Sequence, residues 1–85
     1  MSFQQAADTI KEKGKDLNLS DANKLKLYGL YKQATVGDNN TEKPSFYQLE
    51  QKAKWNAWDA EKGKSKAVAE AEYIALVNAL LSGKK

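Results

Sequence analysis

The chain contains no cysteine, no histidine and no arginine, and each absence excludes a kind of chemistry. Without cysteine there is no disulfide framework and no thiolate nucleophile, and without histidine the commonest metal ligand and general base is missing. All 14 basic residues are lysines, which meet phosphate as point charges rather than through bidentate contacts. The serines fall at helix starts and ends, and we expect the carboxylates to be solvated surface charges. The sequence therefore predicts no metal site, no cofactor and no enzymatic activity.

Long apolar runs are also missing. No stretch approaches the roughly 20 residues of a membrane-spanning helix, and residues 1–8 lack the basic and apolar regions of a secretory signal. We therefore expect a cytoplasmic protein. Hydrophobic residues make up 41% and charged residues 29% of the 85 residues, which is typical of a folded globular chain. We expect one domain spanning residues 1–85, and a monomer.

The first helix is predicted to begin after a capping box formed by Ser2 and Gln5, in which each side chain meets the other's backbone N–H. It should run to about Lys13, where Gly14 can take the left-handed conformation that ends many helices. Residues 15–19 are predicted to form a connection. Apolar side chains at positions 3, 6, 7 and 10 give this segment one buried face.

A second helix should follow the capping residue Ser20 and extend from Asp21 to about Val36, where Gly37 stops it. Gly29 lies inside this helix at a cost of about 1 kcal/mol relative to alanine. It is either a tolerated surface glycine or a point where a neighbouring helix or a ligand approaches closely.

A third helix is predicted to start near Ser45, in a possible capping box with Gln48, and to end at Gly63. Its apolar stripe consists of small residues and one leucine: Leu49, Ala53, Ala57 and Ala60. The fourth helix should begin after Ser65 and reach residues 82 and 83. The fold predicted from this pattern is an all-α four-helix bundle.

The second helix carries two kinds of surface. Three residues at i, i+3 and i+7 point toward a common core: Leu27, Leu30 and Ala34. Tyr28 and Lys32 lie one above the other on a second face, with Tyr31 between the two faces. Aromatic rings can stack on a base and lysine attracts phosphate, so this face favours a phosphorylated aromatic ligand.

Lys54, Tyr73 and a lysine of the first helix could complete such a cluster. Periodicity alone also permits the alternative that Tyr73 is a core residue and that each lysine is a solvated surface charge. Trp55 and Trp58 are interpreted as packing anchors rather than as a stacking platform.

Longer motifs identify a resemblance. Residues 28–38 read Tyr-Gly-Leu-Tyr-Lys-Gln-Ala-Thr-Val-Gly-Asp, and residues 52–58 read Lys-Ala-Lys-Trp-Asn-Ala-Trp. Together with Thr-Glu-Lys-Pro at 41–44 and Ala-Glu-Tyr-Ile at 71–74, they closely resemble the acyl-CoA-binding protein family, also called diazepam-binding inhibitor. The resemblance spans nearly the whole chain. It implies a four-helix bundle with up-down-down-up topology that binds, buffers and transports medium- to long-chain fatty acyl-CoA esters without catalysis.

The resemblance also implies which residues bind the ligand. Those matching Lys54, Tyr28 and Lys32 hold the ribose 3′-phosphate, and those matching Tyr31 and Tyr73 lie near the adenine and its sugar. The remaining implied positions are Lys11, which adds positive charge, and Leu25, which contacts the acyl chain. The chain departs from familiar family members near the acyl site at three positions: Asn23, Lys24 and Glu61.

Two other functions fit the composition. The lysines and tyrosines could form a nucleic-acid-binding face, but a net charge of +3 and the lack of arginine argue against it. A helical bundle acting at a membrane surface or on a protein partner is the other alternative. The expected partners are therefore acyl-CoA and the enzymes that use it, with no nucleic acid and at most transient membrane contact.

Overall fold

A computed structural model describes residues 2–14 and 16–82 of the chain. These residues form four α-helices and no strand: α1 (Phe3–Lys13), α2 (Asp21–Thr35), α3 (Leu49–Asp59) and α4 (Lys66–Leu81). The predicted all-α four-helix fold is confirmed. Lys15, from the predicted first connection, and Gly83, from the predicted end of the fourth helix, lie outside the described residues.

Three helices begin at the predicted capping serines. The hydroxyl of Ser2 accepts a hydrogen bond from the Gln5 backbone N–H at 3.1 Å, and the Gln5 side chain accepts from the Ser2 N–H at 2.9 Å. The hydroxyls of Ser20 and Ser65 accept from backbone N–H groups three residues later, at 3.2 and 3.1 Å. These bonds satisfy N–H groups that have no partner inside the helix.

The end of α1 differs from the prediction. Gly14 keeps right-handed helical angles (φ −54°, ψ −39°), so its predicted left-handed conformation is wrong. The backbone continues to turn, because the Leu17 N–H donates to the Lys13 carbonyl at 2.9 Å. The left-handed residue is instead Asn18 (φ 51°), a residue type that tolerates this conformation. After α2, Gly37 does adopt the left-handed region (φ 102°).

The start of α3 is also corrected. Gln48 accepts from the Ser45 N–H at 3.3 Å through its side chain, and its own backbone N–H donates to the Ser45 carbonyl at 2.9 Å. Ser45 and Gln48 therefore form a separate turn before the helix rather than its first turn. Helix α3 begins at Leu49 and has no side-chain cap. The helix ends at Asp59, and turns continue to Gly63 (φ 95°).

The predicted apolar stripe of α3 is not a core face. Leu49 is 75% exposed, Ala60 is exposed, and Ala53 and Ala57 are half-buried. The buried residue of α3 is Trp58, whose indole N–H donates to a backbone carbonyl of the preceding loop at 2.8 Å. Its predicted role as a packing anchor is confirmed.

Helix α2 lies at the centre of the bundle, in contact with α3 and α4, while α1 packs on α4. The buried core cluster comprises Ala6, Leu27, Leu30, Tyr73 and Val77. On the other side of α2, a Cβ at Gly29 would collide with the backbone carbonyl oxygen of Ala57. Of the two interpretations of Gly29, close approach by a neighbouring helix is therefore the correct one.

Candidate functional site

Three aromatic rings from three helices meet at one edge of the core. Phe3 on α1 lies 5.7 Å from Tyr31 on α2 and 5.2 Å from Tyr73 on α4, measured between ring centroids. The rings of Tyr31 and Tyr73 are 6.2 Å apart. Tyr73 is only 4% exposed, whereas Tyr31 is 42% exposed. Tyr73 is thus a core residue, and Tyr31 forms the solvent-exposed side of the aromatic cluster.

A cavity of about 300 Å³ opens beside these rings, and we call it the tyrosine cavity. It brings together three of the predicted site residues, Tyr28, Tyr31 and Tyr73. The other lining residues are Ile10, Leu19, Lys24 and Leu27. Apolar and aromatic walls with a few polar tips are the usual lining of a small-molecule site.

Lys24 is a candidate site residue that the sequence did not single out as a ligand contact. It lines the tyrosine cavity and also an adjoining space of about 420 Å³, the lysine cavity. The lysine cavity is lined by Ile10, Lys11, Gly14, Asn18, Leu19 and Lys24. Lys11 lines only the second of these two spaces. The available signal was the spacing of Lys24 and Tyr28, which share a helix face at i, i+4.

The other two predicted lysines lie over aromatic rings. The Lys54 ammonium nitrogen is 5.8 Å from the ring centroid of Tyr28, and that of Lys32 is 5.0 Å from Trp58. Lys54 also approaches the exposed carboxylate of Glu50 at 3.6 Å. Such contacts place an ammonium group near an aromatic surface, and the Lys54 side chain is 47% exposed whereas Lys32 is half-buried.

A further cavity of about 230 Å³ lies between α3 and the loop before it, and we call it the loop cavity. Tyr28 and Lys54 line it together with Thr41, Glu42, Pro44, Gln51, Trp55 and Trp58. Because Tyr28 also lines the tyrosine cavity, it is the residue that the two spaces share.

Leu25 lies apart from the tyrosines, in an open groove between α2 and α3 of about 510 Å³. We call it the α2–α3 groove. Its lining consists of Ala22, Leu25, Lys26, Ala53, Asn56, Ala57, Ala60 and Glu61. The alanine stripe of α3 therefore forms the wall of a groove, which explains why it is only partly buried.

Glu61 contradicts the expectation that every carboxylate is a solvated surface charge. It is 2% exposed and accepts a hydrogen bond from Lys26 at 2.7 Å and another from Lys64. Lys64 also donates to Glu72 at 2.7 Å. Burial by itself would raise the pKa of the Glu61 carboxyl, but the hydrogen bonds from the two lysines outweigh it and hold the pKa below its usual range.

Two polar residues of the long motif have structural contacts rather than cavity positions. The buried Gln33 side-chain amide donates to the Asp38 carboxylate and to the Lys64 carbonyl, both at 2.8 Å. Asp38 also accepts from the Gly63 N–H at 2.9 Å. These bonds join the end of α2 to the connection between α3 and α4.

Comparison with known proteins agrees with this architecture. The family model described as acyl CoA binding protein matches residues 1–77. The chain belongs to the acyl-CoA-binding protein family. It is 49% identical over 84 residues to acyl-CoA-binding protein homolog 1 of Caenorhabditis elegans, covering 96% of this chain and 93% of the relative.

Solved structures of acyl-CoA-binding proteins have the same fold. The crystal structure of acyl-CoA-binding protein 2 from Oryza sativa matches with a TM-score of 0.82 at 46% identity, covering 95% of this chain and 92% of the other. That of the Moniliophthora perniciosa protein matches with a TM-score of 0.90 at 32% identity, covering 95% and 78%. In residues 2–14 and 16–82 no helix is long and apolar enough to cross a membrane, and no group of acidic residues could hold a metal ion.

Proposed function

We propose that this acyl-CoA-binding protein family member binds medium- to long-chain fatty acyl-CoA esters, buffers them and transports them inside the cell, without catalysing a reaction. The observation that carries the proposal is the arrangement around Tyr28. Two cavities with aromatic walls and a lysine in each lining share this residue, and Leu25, about one helical turn away on α2, lines the α2–α3 groove.

The nucleotide end of the ligand would bind on the side of the bundle that contains the tyrosine cavity and the loop cavity. In this proposal Lys54, Tyr28 and Lys32 hold the ribose 3′-phosphate, since both ammonium groups lie within 6 Å of aromatic rings and the Lys54 side chain is 47% exposed. Tyr31 and Tyr73 lie near the adenine and its sugar. Lys11, with Lys24 beside it in the lysine cavity, supplies positive charge for the remaining phosphates, because phosphate cannot leave water without charged or hydrogen-bonding partners.

The acyl chain would lie in the α2–α3 groove, along Leu25 and the alanines of α3. Each methylene buried there contributes about 0.8 kcal/mol. One domain over residues 1–85 is sufficient for this function, as a cytoplasmic monomer with no metal or cofactor. The enzymes that consume or produce acyl-CoA would be its exchange partners.

Isothermal titration calorimetry with free CoA, palmitoyl-CoA and palmitate tests the proposal. Palmitoyl-CoA should bind most tightly because it uses both the cavities and the groove. Replacing Lys32 and Lys54 together by alanine should weaken binding of palmitoyl-CoA by about a hundredfold, at about 1.5 kcal/mol for each charged contact.

The matched control replaces Lys13 and Lys52 by alanine and should bind palmitoyl-CoA as the wild type does, because among the described residues neither lysine lies over an aromatic ring as Lys32 and Lys54 do. Equal affinity for palmitate and palmitoyl-CoA, or unchanged binding in the Lys32 and Lys54 double variant, would contradict the proposal.

A further inference from the structure

The α2–α3 groove changes character along its length. Ala53 and Ala57 of α3 and Ala60 directly after it follow one another and present small apolar side chains over about 10 Å. Directly after Ala60 comes the carboxylate of Glu61, and facing it from α2 is the ammonium group of Lys26. The groove is thus mostly apolar along the alanines, where Asn56 is a polar lining residue, and ionic just beyond the end of α3.

The ionic end is fixed in place. One Glu61 oxygen accepts from Lys26 at 2.7 Å, the other accepts from Lys64, and Lys64 is held in turn by Glu72 at 2.7 Å. The cluster balances two positive and two negative charges and links α2, the turn after α3, and α4. If Glu61 moved away, Lys26 would lose its ion pair and Lys64 would keep only Glu72, and breaking such contacts of a buried carboxylate is destabilising.

An alkyl chain laid against this cluster would gain little. The Lys26 side chain is 48% exposed, so its ammonium keeps part of its hydration, and an adjacent chain end would remove that water without offering a hydrogen bond. Removing water from an ammonium or carboxylate without a replacement is unfavourable, whereas each methylene beside alanine is favourable.

We propose that Glu61 and Lys26 form a polar stop that sets the acyl-chain length this protein prefers. Methylenes that lie along Ala53, Ala57 and Ala60 raise affinity, and those that would pass Glu61 do not. The proposal rests on the proposed acyl-CoA function and assigns a specificity-determining role to the ion pair between the buried Glu61 and the half-exposed Lys26.

The first test measures dissociation constants for acyl-CoA esters from octanoyl-CoA to stearoyl-CoA in two-carbon steps. Each step beside apolar surface should tighten binding by about tenfold. In the wild type this gain should fall below about twofold per step once the chain reaches Glu61, whereas Glu61→Leu should extend the tenfold gain by at least one further step. The control is Glu12→Leu, the same change on the exposed face of α1, which should keep the wild-type profile.

The second test needs no variant and therefore does not depend on Glu61→Leu folding. On the ester of the chain length at which the gain first falls, a terminal hydroxyl lies beside Glu61 and can donate to its carboxylate, so this ω-hydroxy ester should bind the wild type at least as tightly as the unsubstituted ester of the same length. In a groove with an apolar end the hydroxyl would instead weaken binding by about tenfold.

The outcomes separate the two proposals. If acyl length affects affinity, but wild type and Glu61→Leu share one profile and the hydroxylated ester binds more weakly, the polar stop is wrong and the carrier function stands. If no acyl-CoA binds more tightly than free CoA, both the proposed carrier function and the proposed polar stop are wrong.

Discussion

The side-chain amide of Gln33 donates to the carboxylate of Asp38 at 2.8 Å, and this bond joins the last part of α2 to the connection between α2 and α3. Gln33 lies in the last part of α2 and is completely buried, while Asp38 also accepts from the Gly63 N–H beyond α3. The residues that close α2 therefore also position the segment that leads into α4.

This contact predicts how stability depends on pH. The Gly63 N–H and then Gln33, with the charge of Lys62 adding to them, hold the pKa of the Asp38 carboxyl below its ordinary value of 3.8. A depressed folded pKa gives stability that is fully present above the unfolded pKa and is lost as pH falls through the folded value. Asp38→Asn should therefore make the free energy of unfolding less dependent on pH below about pH 4. Urea denaturation across a pH series would measure this, with Asp16→Asn as an exposed carboxylate control.

Glu61 predicts a second acid-sensitive contribution. Its pKa is also depressed, so the ion pairs with Lys26 and Lys64 stabilise the fold above the ordinary pKa of 4.5 and are lost as pH falls through the lower folded value. In the same urea titrations, Glu61→Gln should lower the free energy of unfolding at pH 7 but change it little at the acidic end. An equal loss at both ends would show that the carboxylate charge is not responsible.

Gly29→Ala should destabilise the protein even though alanine is the better helix former. Alanine gains about 1 kcal/mol in helix propensity, but its Cβ would collide with the Ala57 carbonyl and force α2 and α3 apart, at about 1–3 kcal/mol. We expect a net loss of about 1 kcal/mol and weaker acyl-CoA binding, because the α2–α3 groove would widen. Thermal denaturation and calorimetry would check both, and unchanged stability would contradict the close packing.

Two substitutions separate the contribution of the Tyr73 ring from that of its hydroxyl. Tyr73→Ala should cost about 3–5 kcal/mol because it leaves a hole in the buried core. Tyr73→Phe keeps the ring and should change the free energy of unfolding by less than about 1 kcal/mol, since its hydroxyl donates to no group among the described residues. If the hydroxyl contacts the nucleotide, Tyr73→Phe should still weaken acyl-CoA binding by about fivefold. Unchanged binding would make Tyr73 a purely structural residue.

Lys24→Gln should reduce affinity for free CoA by about threefold to fivefold, as expected for one partly exposed charge near phosphate. The effect should shrink at high salt because the charge is accessible to ions. Lys13→Gln provides the matched control, because Lys13 lines neither the tyrosine cavity nor the lysine cavity. Equal effects of the two variants would point to net charge rather than to the position of Lys24.

Local signals in the sequence predicted most of the helices, because capping and periodicity act over a few residues. Ser2, Ser20 and Ser65 each cap the helix expected of them. The start of α3 was misplaced because the Ser45 and Gln48 pair that marks a helix start can equally close a single turn. Choosing between these outcomes depends on how the loop packs, which periodicity does not describe.

The candidate site was only partly predictable for a related reason. Tyr28, Tyr31 and Lys32 share one helix, so their grouping follows from helical pitch, whereas the burial of Glu61 depends on Lys26, 35 residues away. Such distant pairs leave no local pattern in a single sequence. Whether the predicted residues contact acyl-CoA stays a prediction until the variants are measured.

The two tryptophans give the bundle a built-in optical reporter. Trp58 donates from its indole to the Gly37 carbonyl at 2.8 Å, and Trp55 donates to the Thr41 hydroxyl at 3.0 Å. Both indoles are therefore hydrogen-bonded to the connection between α2 and α3, and both tryptophans line the loop cavity. Intrinsic tryptophan fluorescence should therefore change when the packing of this connection changes. Ligand binding in the loop cavity can then be followed without an added dye.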